Sequence, residues 1–364
     1  MFDISVSYQK HSLKFHFEAG TSRGVLTEKN SYFIQIKNKK NPIQVGLGEA
    51  GPLRGLSPEF EEEGLAGFEK YIKSANWEFF PETLEEIPLF ISHLPLGYPS
   101  YKFAIEMATF DYIQAKNGVY FDNEFSLGKM AIPINGLIWM GKPDFMEDQI
   151  EQKIAQGFTC LKLKIGAIDF DQELAILKNI RSQFPANKLS IRVDANGAFT
   201  SHEAVHKLEK LAQLDIHSIE QPIRAGLWNA MAELCKENIL PIALDEELIG
   251  LESEDQQNQL LDKIPANYII IKPSLVGGFS ASHDWILAAE KRKMGWWITS
   301  ALESNIGLQA IAQFTAEYSP SIPQGLGTGT LYTNNFASGL SIQKGNLHFN
   351  PNFNRINPFH ENHV

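Results

Sequence analysis

The chain has 364 residues, a net charge of -11, 43% hydrophobic residues and two cysteines. That length can bury one large core or a two-part architecture, and the acidic balance argues against nucleic acid as a partner. Cys160 and Cys235 cannot build a disulfide framework, which fits a reducing compartment. The N-terminus lacks a basic segment followed by an apolar run, and no stretch approaches the ~18 apolar residues of a spanning helix. The sequence thus predicts a cytoplasmic protein with no membrane partner and leaves its oligomeric state open.

Val6, Tyr8, Phe15, Phe17, Tyr32, Ile34 and Ile36 fall in period-two runs, which predicts strands over roughly the first 50 residues. A polar loop, 20–24, is expected between two of them and a glycine-rich loop follows at 46–55. Ser57-Pro58-Glu59 reads as a helix start, with a capping serine, proline at the first helical position and acid in the first turn. A helix is expected over 101–116, with Phe103, Met107, Phe110 and Ile113 on roughly one face. Residues 1–130 thus read as an α+β module.

From 131 to 330 the pattern turns periodic. Strand-like runs occur at 132–138, 160–165, 189–194, 217–220, 242–245, 268–272, 297–300 and 322–326. Helices are expected between most pairs, at 144–156, 171–183, 204–211 and 283–293, and Thr200-Ser-His-Glu203 resembles a capping box. Eight strands alternating with helices predict an α/β fold of the TIM-barrel type. The alternative, an open doubly wound sheet, seldom uses eight such even units. The tail, 331–364, has strand-like runs at 340–343 and 347–349 and is expected to pack back on the N-terminal module.

Active sites of such barrels lie at the C-terminal strand ends. Here strand two ends in Lys162-Leu-Lys164, strand three in Asp194-Ala-Asn196, strand four in Glu220, strand five in Asp245-Glu-Glu247 and strand six in Lys272-Pro-Ser274. Residues two apart share a face, so if Leu161 and Leu163 face the helices, both lysines of the pair face inward. Adjacent strands are about 4.8 Å apart, so Asp194, Glu220 and Asp245 can converge on one hard cation through oxygen ligands. Lys272 comes from about half-way round the barrel and would flank that cation from the other side. This set suits proton removal next to a substrate carboxylate, where metal and ammonium groups stabilise the developing charge. A lysine acts as base only when partly neutral, and neighbouring cations push an ammonium that way. One acidic strand end alone more often caps a helix or pairs on the surface, and a lone Lys-x-Lys is more often a solvated face. The ordered set is what points to a site. Glu246 and Glu247 read as either support for the site or plain surface.

In this order the residues resemble the enolase superfamily and, within it, the muconate-lactonising subgroup, over essentially the whole chain. The resemblance implies a (β/α)7β barrel with an N-terminal α+β capping domain that the tail completes. It implies that Asp194, Glu220 and Asp245 bind magnesium, or manganese, with Asn196 supporting the site. Lys164 would be the base, Lys162 an electrostatic helper and Lys272 a charged group across the substrate. Gly48-Glu-Ala-Gly-Pro-Leu, Pro99-Ser100 before Phe103-Ala-Ile-Glu106, Lys272-Pro-Ser274 and Ser300-Ala-Leu-Glu303-Ser304-Asn-Ile-Gly307 are similar to a dehydrating branch of the subgroup. Its small-molecule substrate is a cyclohexadiene carboxylate bearing a succinyl arm. By that resemblance the arm would meet cap loops 21–24 and 53–56, and Gly277, Gly278 and Ser300. Arg23 and Arg54 would attract its carboxylate, although exposed loop arginines are more often simply solvated.

Racemisation, epimerisation and cycloisomerisation in the same subgroup use the same core. Dipeptide epimerases of the subgroup carry an acidic pair at strand eight, whereas this chain reads Gln324-Gly-Leu-Gly-Thr-Gly-Thr330 there. Those glycines suit a phosphate cradle only weakly, because they do not match a P-loop. A Schiff-base lysine enzyme would leave the three carboxylates unexplained, and a metallohydrolase would want His-x-His where strand one reads Ile132-Pro-Ile-Asn-Gly. A non-catalytic binding barrel would be expected to have lost one of the charged groups, and all are present.

Overall fold

The computed structural model describes residues 4–21, 24–41, 43–61 and 64–360. The period-two segments form a long antiparallel hairpin, β1 (Ile4–Thr21) and β2 (Gly24–Asn38), with a register shift between Lys14 and Ala19. β3 (Val45–Ala50) pairs with β2, so the first half of the expected glycine-rich loop is in fact a strand. Its glycines admit a helix: a Cβ on Gly46 would lie 2.0 Å from the Ala108 carbonyl oxygen, and one on Gly48 1.9 Å from that of Ala104. At Ser57 only a short turn of 3-10 helix forms over Pro58–Glu61. The α-helix proper, α1 (Leu65–Ser74), starts after Gly64, whose φ is 58°. α2 (Ile87–Ser92) and α3 (Pro99–Gln114) complete the cap. α3 is buried along most of its length rather than on one face, because the cap sheet packs on one side of it and the barrel on the other.

β4 (Ile132–Pro133) and β5 (Gly136–Ile138) share the expected first strand. α4 (Pro143–Ala155), β6 (Cys160–Lys164), α5 (Phe170–Gln183), β7 (Ser190–Asp194) and α6 (Ser201–Ala212) follow in alternation. The Thr200–Glu203 capping box forms. Next come β8 (Ser218–Glu220), α7 (Trp228–Glu237), β9 (Ile242–Leu244), α8 (Glu254–Lys263) and β10 (Tyr268–Ile271). The barrel continues through α9 (Pro273–Val276), α10 (Phe279–Lys291), β11 (Gly295–Ile298) and α11 (Asn305–Ala316). β5 to β11 form one parallel sheet in sequence order. Its ends are joined by Gln324, which bridges to Ile134, and Gly325, which bridges to Thr299. The eighth strand is therefore two residues of pairing rather than five. The Gln324 side chain extends it by accepting from the Ile298 amide at 2.8 Å, and a Cβ on Gly325 would lie 2.3 Å from Thr299 Oγ1.

Leu161, Leu163, Ile191, Val193, Ile219, Ile242 and Leu244 are buried in one apolar core with residues of the surrounding helices. The alternate residues of these strands are left for the barrel interior. In the tail, β12 (Leu340–Gln343) and β13 (Asn346–Phe349) form a hairpin that joins β4. The residues before it bind the cap, with the Thr333 amide donating to the Lys14 carbonyl at 2.8 Å. The residues after it do so too, through an ion pair of Arg355 with Asp111 of α3. The tail thus straps cap and barrel together. Among the described residues no helix is long and apolar enough to cross a membrane.

Candidate active site

The strand register sets the charged groups in layers. Lys164, Asp194 and Glu220 are direct neighbours across β6, β7 and β8, and Lys162, Arg192 and Ser218 form the layer below. Asp245 follows β9, two residues beyond Ala243, the partner of Glu220. Lys272 follows β10 in an extended conformation, with φ -115° and ψ 98°. Proline after it disfavours the helical region there.

Asp194, Glu220 and Asp245 are 0, 2 and 3% exposed, and buried charges need partners. Lysines supply them. Lys162 Nζ lies 3.0 Å from Asp194 Oδ2 and also pairs with Glu220. Lys272 pairs with Asp245, and its Nζ is 3.8 Å from Glu220 Oε1. Lys164 donates to Asp194 Oδ2 at 3.1 Å and to Asn196 Oδ1 at 2.8 Å. Lys162 and Lys272 therefore both reach Glu220, among the carboxylates. Among the described residues no three Asp, Glu, His or Cys side chains form a ready-made metal geometry. Yet both Glu220 oxygens are buried without a hydrogen bond of normal geometry, and the donors are all carboxylate oxygens on adjacent strand ends. That chemistry fits a hard divalent ion.

Burial opposes the charge on Lys162, but Asp194, Glu220 and Asp245 outweigh it and hold the ammonium above the usual lysine range. Lys272 is raised by the same contest, against burial, through Asp245 and Glu220. Asp194 is driven far below the usual carboxylate range, because Lys162, Lys164 and Lys272 overcome its burial. Glu220 moves the other way: burial and the charge of Asp194 push it well up, and Asp245 adds to this.

Beside this floor lies a cavity of about 380 Å³. Lys162, Lys164, Lys272 and Asn196 line one part of it. The cap contributes Leu53, Arg54 and Leu56, the end of the first strand Leu137 and Trp139, and the segment after β11 Ser300 and Leu302. Ser300 Oγ lies 2.6 Å from Thr328 Oγ1 in a hydrogen bond. Asn196 sits at φ 45°, its amide nitrogen donating to Glu246 Oε1 at 3.1 Å. A carboxylate only accepts, so the Asn196 oxygen is turned to Lys164.

Glu246 and Glu247 are both buried. Glu247 is structural, accepting from the Gly226 amide and the Trp228 indole, each at 2.9 Å. Gly277 and Gly278 are not among the cavity-lining residues. They turn the chain from α9 into α10 at φ 104° and 110°, and Gly278 packs against Glu106 of α3. Arg23 lies outside the described residues. Asn135, Leu137 and Trp139 also line the cavity, and their signal in the sequence is alternation along the first strand toward its C-terminal end.

The fold and these strand ends define a class: the chain belongs to the enolase superfamily. Residues 146–351 match the Enolase C-terminal domain-like family. The chain is 45% identical to the o-succinylbenzoate synthase of Desulfotalea psychrophila, over 95% of this chain and 99% of that protein. The crystal structure of MenC from the same organism superposes with a TM-score of 0.81 at 42% identity, covering 95% of this chain and 99% of that one. An N-succinyl-L-Arg/Lys racemase of Bacillus cereus is 25% identical, over 87% of this chain and 89% of its own.

Proposed function

We propose that this chain is an o-succinylbenzoate synthase, a lyase that dehydrates 2-succinyl-6-hydroxy-2,4-cyclohexadiene-1-carboxylate to o-succinylbenzoate in menaquinone biosynthesis in the cytoplasm. The observation that carries the reading is Lys164 and Lys272 together on one largely apolar cavity, Lys164 paired with the buried carboxylate of Asp194 and Lys272 with those of Glu220 and Asp245 behind it. The 45% identity over nearly the whole chain supports the choice of substrate.

Asp194, Glu220 and Asp245 would hold magnesium, or manganese, competing with Lys162 and Lys272 for the same oxygens. When bound, the ion supplies positive charge to the substrate carboxylate as its neighbouring carbon loses a proton. Lys164, the more exposed lysine of its pair at 14% against 7%, takes that proton as a neutral amine. The electron pair left behind spreads into the carboxylate as an enediolate. Lys272, which Asp245 and Glu220 keep protonated, stabilises this charge, and Lys162 adds to the positive field from below. The Lys164 ammonium then gives its proton to the hydroxyl leaving from the same face, which departs as water while the ring becomes aromatic. Using one group for both transfers makes the elimination syn. Leu56, Ser300 and Arg54 line the same cavity and would receive the succinyl arm.

N-succinylamino acid racemase is the second reading, because Lys164 and Lys272 on one cavity also suit two-base proton exchange. A dipeptide epimerase or muconate cycloisomerase would share that core. For the epimerase, strand eight brings Gly325, Gly327 and Thr328 to the cavity and no acid to bind an ammonium. A non-catalytic barrel would not need every charged group retained. The purified protein with magnesium should dehydrate the cyclohexadiene, followed by ultraviolet absorbance, far faster than it acts on a panel of N-succinylamino acids and dipeptides. Turnover of N-succinylamino acids without dehydration would overturn the choice.

A further inference from the structure

Leu302 has a φ of 64°, in the left-handed region that residues with side chains rarely adopt. Its side chain lines the cavity and packs in one cluster with Leu26, Leu137 and Trp139, which also line it. Such a backbone persists where its surroundings over-determine it, and it gathers where a site needs a set shape. Two donors converge on the Leu302 carbonyl. Lys29 Nζ of β2 reaches it at 2.8 Å, and the Tyr332 hydroxyl of the tail at 2.7 Å. Both residues are buried, at 5 and 4% exposure.

The groups behind Lys29 are fixed in turn. Its charge faces Glu49 of β3 and Glu303. Glu49 accepts from Ser31 Oγ at 2.7 Å, the Ser304 amide at 2.8 Å and the Gly307 amide at 2.9 Å. Glu303 accepts from the Ala301 amide at 2.7 Å and from the Ser274 hydroxyl. Two glycines clear the space: a Cβ on Gly51 would lie 2.3 Å from Lys29 Nζ, and one on Gly307 2.8 Å from Glu49 Oε2. Segment 301–304 is thus gripped on both sides of Leu302 by groups of the cap, the tail and the barrel.

We propose that Lys29 and Tyr332 are positioning residues that hold Leu302 in its left-handed turn, so that cap and tail together set the cavity wall against which the succinyl arm packs. This rests on the functional reading above. Tyr332→Phe removes one hydroxyl and keeps the ring. It should raise KM for the cyclohexadiene about fivefold, the worth of one buried hydrogen bond, and leave kcat nearly unchanged. Lys29→Met should act in the same direction but strips two buried carboxylates of a cation, so Tyr332→Phe carries the test. In a Leu302→Gly background, where φ is free, Tyr332→Phe should change KM no further. A general structural role would multiply KM by the same factor in both backgrounds. An unchanged KM in Tyr332→Phe, or the full factor again in the Leu302→Gly background, overturns the proposal. If the wild type only racemises N-succinylamino acids, the substrate reading fails alone, and the same KM comparison is made with such an acid.

Discussion

Lys162→Met separates charge balance from proton transfer in this site. The Lys162 side chain is 7% exposed and pairs with both Asp194 and Glu220. Removing one partner of a buried ion pair costs about 3–5 kcal/mol. For a chain of this size each kcal/mol moves the thermal midpoint by roughly 2–4 °C, so a midpoint at least ~6 °C below wild type is expected in a chelator. Magnesium would restore positive charge at the same oxygens, and without the competing lysine the variant should bind it more tightly, each tenfold in Kd adding about 1.4 kcal/mol to the variant over the wild type at saturation. The gap should therefore narrow when calorimetry is repeated with excess magnesium. Its pH dependence has a definite sign. The folded state raises Glu220 above the usual range, so its protonated form contributes stability at low pH that is lost as pH rises. Losing Lys162 raises it further, and the gap should widen toward alkaline pH. Equal midpoints in the chelator, or a gap indifferent to magnesium, would refute the view that lysine and metal share these oxygens.

Asp194→Asn, Glu220→Gln and Asp245→Asn should each weaken magnesium binding by about tenfold or more; unchanged affinity in titration calorimetry would remove that residue from the ligand set. Burial pushes the Glu106 carboxyl up to about 7, against the hydrogen bonds it accepts from Ser280 and Phe279. A raised folded value means stability present below the unfolded value and lost as pH rises through about 7. The wild-type midpoint should carry a decline over that window that Glu106→Gln lacks, and identical pH profiles would count against it. Thr200→Ala should cost about 1 kcal/mol through loss of its cap, with kcat and KM intact; a loss of activity would show that α6 reaches the site.

The barrel was legible because strands two to six each announce themselves twice, by an apolar run and by a charge at the end. Lys164, Asp194 and Glu220 could be assigned to successive strand ends from the sequence, since period two fixes the face a side chain takes, whereas their shared layer follows from the strand pairing. What stayed hidden was set by tertiary contact. Gly46 and Gly48 look like loop residues and are strand residues, made small by the approach of α3. The eighth strand is too short for a periodic signal, and a glutamine side chain stands in for part of its ladder. Gly277 and Gly278 look like substrate loop but turn toward the cap. The approach of both Lys162 and Lys272 to Glu220 is likewise set by tertiary contact and has no signal in the sequence. The cavity wall has none either: the Leu302 backbone depends on Lys29 and Tyr332, far from it in the chain.

The most direct test of the central claim is the rate of cyclohexadiene dehydration by wild type and Lys164→Met, side by side with magnesium. The wild type should aromatise the substrate rapidly, and the variant, folded and still binding magnesium, should show only background loss of water. Near wild-type dehydration by Lys164→Met would contradict the claim.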